Sequence, residues 1–208
     1  MNALSLAGID VGSPRLRGQT THSTHGLEIV AGGGDIWGTR DEFHFAHALV
    51  SGDCELSVRI VSLTMADVYT KAGLMLRSAL EAGAEHAFLL AFGDNQPRNK
   101  NNGGLEFQYR EAADGPCTGV YPPQPLPPAP DFPVSFPDVW LKLARAGDTI
   151  TGQSSRDGKA WRTFCVHDQR LPRVAYLGVA VTSHNASQTV KGVFSDLAYR
   201  GEAPGGPR

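Results

Sequence analysis

The side chains best suited to chemistry are four long polar groups on two stretches of alternating sequence: Lys71 and Arg77, then Gln108 and Arg110. A planar amide or guanidinium pairs with adjacent hydroxyls through two hydrogen bonds, and an ammonium adds a point donor. If the two stretches are neighbouring strands, the set recognises a polyhydroxylated ligand, with Tyr69 or His184 beside it to cover the apolar side of a sugar ring. A solvated strand face with cross-strand charge pairs, such as Glu106 with an arginine, accounts for the same pattern.

Catalytic chemistry finds less to work with. Glycoside hydrolysis needs two carboxylates about 5 to 10 Å apart. Glu106 and Glu111 fall on opposite faces of their strand and Glu55 stands alone, so such a pair has to come from distant strands. Of the seven histidines, His22 and His25 share an expected loop and give a weak metal signal, while His44 and His47 point to opposite faces of one strand. Cys54, Cys117 and Cys165 are an odd, widely spaced set that announces neither a disulfide framework nor a zinc site.

The elements that position these groups read as strands. Leu56, Val58 and Ile60 alternate against Glu55, Ser57 and Arg59; Ala72, Leu74 and Leu76 against Lys71, Gly73, Met75 and Arg77; Leu105, Phe107 and Tyr109 against Glu106, Gln108 and Arg110. The near-continuous apolar run Ala87 to Phe92 reads as a central strand covered on both faces. Short strands follow over Trp140 to Ala144, Thr149 to Ser155, Ala160 to Phe164, Ala175 to Ser183 and Thr189 to Tyr199, with Asp157-Gly158 as a hairpin turn. Gly32-Gly33-Gly34 marks a bend, and Trp37, ahead of the alternating Phe43 and Phe45, is expected to anchor the core. No helical pattern follows these glycines, which excludes a phosphate-cradling loop.

The chain has 208 residues, and with 24 Gly and 14 Pro it suits many short strands and turns. One β-sandwich domain is expected over residues 1–201, with a disordered tail over 202–208 and a long loop over 114–137 that carries nine of the prolines. A formal charge of -2 gives no electrostatic reason to expect nucleic acid or an anionic membrane as partner. Met1 to Val11 has no basic region before its short apolar stretch, and Asp10 interrupts it, so no signal peptide is read and a cytoplasmic location is the expectation. No run approaches the ~20 apolar residues of a membrane span.

Gly32 to Phe45, Leu49-Val50-Ser51-Gly52-Asp53, Lys71 to Arg77, Phe107-Gln108-Tyr109-Arg110, Trp140-Leu141-Lys142-Leu143, Ser155 to Trp161 and Gly178 to Asn185 together resemble the bacterial concanavalin A-like lectin/glucanase modules. These are similar to laminin-G-like jelly rolls and to the family named after the yeast regulator of enolase. Ser155 to Trp161 is also similar to the Asp-box of sialidases, one residue short between Asp and Gly, and is read as a structural hairpin. The resemblance implies an all-β, two-sheet antiparallel jelly-roll sandwich whose concave face takes the ligand. Together with the alternation above, it leads to the expectation of a non-catalytic carbohydrate-binding module, with polysaccharide or oligosaccharide bound at Tyr69, Lys71, Arg77, Gln108, Arg110 and His184. Glycan hydrolysis and protein–protein interaction are the alternatives. The glucanase motif Glu-x-Asp-x-x-Glu is missing from this sequence. Such modules often accompany secreted polysaccharide-degrading enzymes and often clamp their first and last strands with calcium, a role the resemblance gives here to Asp35 and Asp196.

Overall fold

A computed structural model describes residues 4–24, 26–93, 104–123 and 139–202. In chain order the strands are β1 (Ala7–Val11), β2 (Gln19–Ser23), β3 (Gly26–Ala31), β4 (Ile36–Trp37), β5 (Arg40–Asp41), β6 (Phe43–Leu63), β7 (Lys71–Arg77), β8 (His86–Phe92), β9 (Leu105–Arg110), β10 (Thr118–Val120), β11 (Val139–Ala146), β12 (Thr149–Ser155), β13 (Arg162–Asp168), β14 (Val174–Thr182) and β15 (Val190–Glu202). Among the described residues no helix is long and apolar enough to cross a membrane.

The 21-residue strand β6 is the spine of the molecule. Its first half pairs with β14 on one side and β1 on the other; its second half pairs with β11 and β15. It therefore belongs to two layers in turn. One runs β10-β9-β8-β7-β14-β6-β1 and the other β13-β12-β11-β6-β15-β3-β2, all antiparallel. The change of layer falls at Gly52, whose φ of 69° belongs to a region that side chains with a Cβ resist. The result is an all-β, antiparallel jelly-roll sandwich: the alternating sequence predicts the antiparallel sandwich, and the resemblance implies the jelly roll.

Between the layers lies one apolar core. Leu56, Val58 and Ile60 of β6, Ala72, Leu74 and Leu76 of β7, Leu89 of β8, Phe107 of β9 and Leu141 and Leu143 of β11 are buried together in it, each taken from the expected apolar face of its strand. The other face of the first layer is not solvated, contrary to the sequence reading. Val11, Ile36, Phe43, Phe45, Met75, Phe88, Leu90 and Phe92 form a second core there. Full burial of a side chain of this size is worth about 1.5–3 kcal/mol, so the second core is a substantial part of the fold's stability.

Trp37 departs from expectation. It is 38% exposed, and Ile36 takes the buried place beside Phe43 and Phe45. The cause is strand parity: Ile36 and Trp37 form a two-residue strand, so one of the pair must face out, and the branched aliphatic side chain fits the inner site. The glycine bend is as read. Gly33 has φ 113°, and a Cβ there would sit 2.0 Å from the Glu42 carbonyl oxygen.

The hairpin at Asp157 is also as read, with its Oδ1 accepting the Lys159 and Ala160 N–H groups at 2.8 Å each. That turn keeps residues 156–161 out of the ladder, so the following strand starts at Arg162 rather than Ala160. Thr118–Val120 adds a short strand within the expected loop, while residues 124–138, the tail beyond Glu202 and His25 lie outside the described residues. Glu202 itself ends β15.

Candidate functional site

Pairing of β7, β8 and β9 places the four expected donors on one face of the first layer. Arg77 faces His86, which faces Arg110; Met75, Phe88 and Gln108 form the next row; Gly73, Leu90 and Glu106 the one after; Lys71 lies opposite Phe92 at the end. The shared face read from the sequence is present. Its residues differ in what they do.

Arg77 and Arg110 are fully buried, and both bind the buried carboxylate of Asp41. Arg110 Nη2 lies 2.7 Å from Asp41 Oδ1 and its Nη1 2.8 Å from Oδ2, while Arg77 Nη1 lies 3.2 Å from Oδ2. The remaining guanidinium N–H groups hold loop carbonyls: Arg110 donates to Gly115, Ala84 and Gly38, and Arg77 to Ala79 and Glu81. The two arginines expected to meet ligand instead tie β4–β5 and the turn after β7 to the sheet. Asp41 carries no sequence signal for this role, because its partners stand 36 and 69 residues away.

His86 and Cys117 complete that buried group, with Nε2 3.8 Å from Sγ. Burial pushes the imidazole down to about 3 and the thiol up to about 12, so at neutral pH both are uncharged. They form no thiolate–imidazolium nucleophile.

The opposite end of the face is polar and reaches solvent. Lys71 Nζ lies 2.8 Å from Asp35 Oδ1; Asp35 Oδ2 lies 3.2 Å from His184 Nε2; His184 Nδ1 lies 3.2 Å from Asp67 Oδ1. Tyr69, 39% exposed, packs its ring 4.9 Å from that of His184. Local sequence builds this arrangement. Asp67 Oδ1 accepts the Tyr69 N–H at 2.8 Å in an Asx turn, and the Thr70 hydroxyl donates to the Ser183 carbonyl at 2.7 Å, locking the two loops together. His184 is held at φ 53°, a backbone conformation that a β-carbon disfavours. Asp67 escaped the sequence reading, although the Asp-Val-Tyr-Thr turn offered a local signal.

Between these ends, buried Gln108 donates to Glu106 Oε2 at 3.0 Å, and its own Oε1 meets no donor among the described residues. Beside Asp35 a cleft of about 430 Å³ opens among Gly12, Gly34, Arg40, Glu42 and Ala82, within the size range of small-ligand sites.

The expected calcium pair is not brought together. Asp35 lies beyond the Ala31 end of β3, whereas Asp196 lies beyond its Gly26 end, in a bulge of β15 opposite Arg59 and Ser57. The seven residues of β15 from Val190 to Asp196 alone span roughly 20 Å. Asp35 has Lys71 and His184 as partners, and Asp196 Oδ2 accepts the Ser195 hydroxyl at 2.9 Å. Asp35 and Asp67, the two carboxylates of this end, are bridged by the His184 ring, 3.2 Å from each.

No protein-family model and no curated protein sequence matches the chain. Solved structures share its fold. A protein of unknown function from Saccharomyces cerevisiae superposes with a TM-score of 0.70 at 13% identity, covering 95% of this chain and 97% of that one. The carbohydrate-binding module CBM66 of Bacillus subtilis gives 0.58 at 14% identity, with 92% and 94% covered. A xylan β-1,4-xylosidase of Bacillus halodurans gives 0.55 at 15% identity, with 91% of this chain but 35% of that one covered. At these identities the likeness is one of fold alone, an antiparallel β-sandwich.

Proposed function

We propose that this chain is a non-catalytic carbohydrate-binding module of the laminin-G-like kind, taking a polysaccharide or oligosaccharide at the lip of the concave face. The observation that carries the reading is the partly exposed Tyr69 ring packed against His184, whose own ring contacts Asp35 and Asp67, with Asp35 paired to Lys71. The ring offers an apolar platform for a pyranose face, while the partly exposed Asp35 and Asp67 carboxylates give acceptors for its hydroxyls and buried Lys71 orients Asp35. The Lys71–Asp35 ion pair and the contacts of His184 with both carboxylates hold these groups in place before ligand arrives, which lowers the ordering cost of binding. Gln108, whose amide oxygen meets no donor among the described residues, is buried on the same face in the row of Met75 and Phe88 and is no ligand contact in this reading. Arg77 and Arg110, at the other end of the face, hold Asp41 and touch no ligand in this reading. The likeness to a carbohydrate-binding module over nearly the whole of both chains agrees with this reading.

A glycan array followed by affinity gels, with reducing-sugar release measured on each retained polysaccharide, tests the proposal. Binding without release is expected. Release abolished by replacing one carboxylate would establish a hydrolase instead, and absence of retention on every glycan would end the carbohydrate reading.

A further inference from the structure

Trp37 stands exposed on a hairpin that buried groups hold in place. Ile36 anchors β4 in the second core. Arg110 Nη2 donates to the Trp37 and Gly38 carbonyls at 3.5 and 3.2 Å, and the Cys117 N–H donates to the Gly38 carbonyl at 2.8 Å. Gly38 has φ 58°, and a Cβ there would meet nothing within 4 Å, so the turn beside the indole projects into open space. Among the described residues neither a cation nor another ring packs on the Trp37 side chain. A fixed backbone thus presents an indole whose faces the fold does not use.

This indole adjoins the Tyr69 site. Asp35 precedes it by two residues, which span at most about 7 Å of backbone. Across the hairpin Trp37 pairs with Arg40, and Arg40 lines the cleft of about 430 Å³ together with Gly34, Asp35 and Glu42. Contacts therefore run without a break from the Tyr69 ring to His184, from His184 to Asp35, along the cleft to Arg40, and from Arg40 to Trp37. Both cations of this path are answered by acids, Lys71 by Asp35 and Arg40 by Asp114, so neither is left to select an acidic sugar.

We propose that Trp37 is a second aromatic subsite of the same glycan-binding site, and that the ligand is a neutral, linear chain of β-linked pyranoses at least a trisaccharide long. This rests on the carbohydrate reading of the Tyr69 site and specifies what that site takes. β-Linked glucose and xylose carry their hydroxyls around the ring edge and leave flat apolar faces for aromatic side chains. One unit packs on Tyr69, one lies over the cleft mouth beside Asp35, and one packs on Trp37. The exposed Arg40 guanidinium donates to hydroxyls of the unit on its cross-strand neighbour. A mono- or disaccharide fills only the Tyr69 end.

Titration calorimetry of the intact chain with cello- and xylo-oligosaccharides of one to six units is the test. Affinity for at least one series is expected to rise about 10-fold from disaccharide to tetrasaccharide and then level off. Trp37→Ala is expected to remove that rise and leave the disaccharide affinity unchanged, whereas Tyr69→Ala weakens short and long chains alike. Trp37→Phe, which keeps a ring, is expected to retain most of the rise. Should Trp37→Ala fail to fold, Arg40→Gln decides, since it alters only an exposed side chain; it is expected to cut the gain from length about 3-fold. Equal affinity at every length, a rise that survives both Trp37→Ala and Arg40→Gln, or binding confined to other glycans of the array would overturn the inference and leave the Tyr69 reading standing. Absence of binding to every glycan would overturn both.

Discussion

Arg110 grips Asp41 with two parallel charge-assisted hydrogen bonds of 2.7 and 2.8 Å, and neither side chain is exposed to solvent. The pair joins the end of β9 to the short β4–β5 hairpin, which carries Ile36 into the second core and leads from Asp35 of the candidate site. Fold and site therefore share this contact.

Removing the carboxylate leaves two guanidinium groups buried without their counter-charge. Asp41→Asn is expected to cost about 3–5 kcal/mol in urea unfolding. Arg40→Ala, which deletes an exposed pair with Asp114 at 3.3 Å, is expected to cost less than about 1 kcal/mol. Equal costs would show that the buried cluster is not what fastens the hairpin.

His86 gives a pH dependence. Burial, reinforced by Arg77 and Arg110 against the pull of Asp41, lowers its pKa from 6.5 to about 3. The unfolded chain takes up a proton near pH 6.5 that the folded chain refuses until about pH 3. Stability is thus complete above pH 6.5 and declines as pH falls toward 3, by up to about 5 kcal/mol from this group. Melting temperature against pH should fall less steeply for His86→Gln than for the parent; parallel curves would contradict the assignment.

All three cysteines are buried free thiols, and burial raises Cys54 to about 11 and Cys117 to about 12. Alkylation at neutral pH should be slow in the folded protein and reach all three thiols after denaturation. Modification of any one within minutes under native conditions would place a reactive thiolate where the structure has none among the described residues.

Ile36 and Trp37 separate two readings of one hairpin. Ile36→Ala should cost roughly 2–5 kcal/mol as a core cavity, and Trp37→Ala only about 1 kcal/mol. The reverse order, measured by chemical denaturation, would restore the tryptophan as the anchor.

Strand parity made much of this fold legible. Leu56, Val58 and Ile60, or Ala72, Leu74 and Leu76, declare their inner face by alternation, and the register that unites Lys71, Arg77, Gln108 and Arg110 follows once β7, β8 and β9 are neighbours. Alternation does not say whether a polar face is wet. Arg77 and Arg110 look like surface donors until Asp41, far away in sequence, supplies the buried counter-charge that the pattern cannot show. The same limit hid Asp35's partnership with Lys71 and His184, which is made only when the chain returns through β14. A two-residue strand is too short for alternation to tell Ile36 from Trp37.

Titration calorimetry of the tightest array glycan against the parent chain and Tyr69→Ala tests the central claim most directly. The account predicts at least ~10-fold weaker binding in the variant, with the melting temperature little changed because the ring is partly exposed. Undiminished affinity in Tyr69→Ala and also in Lys71→Gln would contradict it.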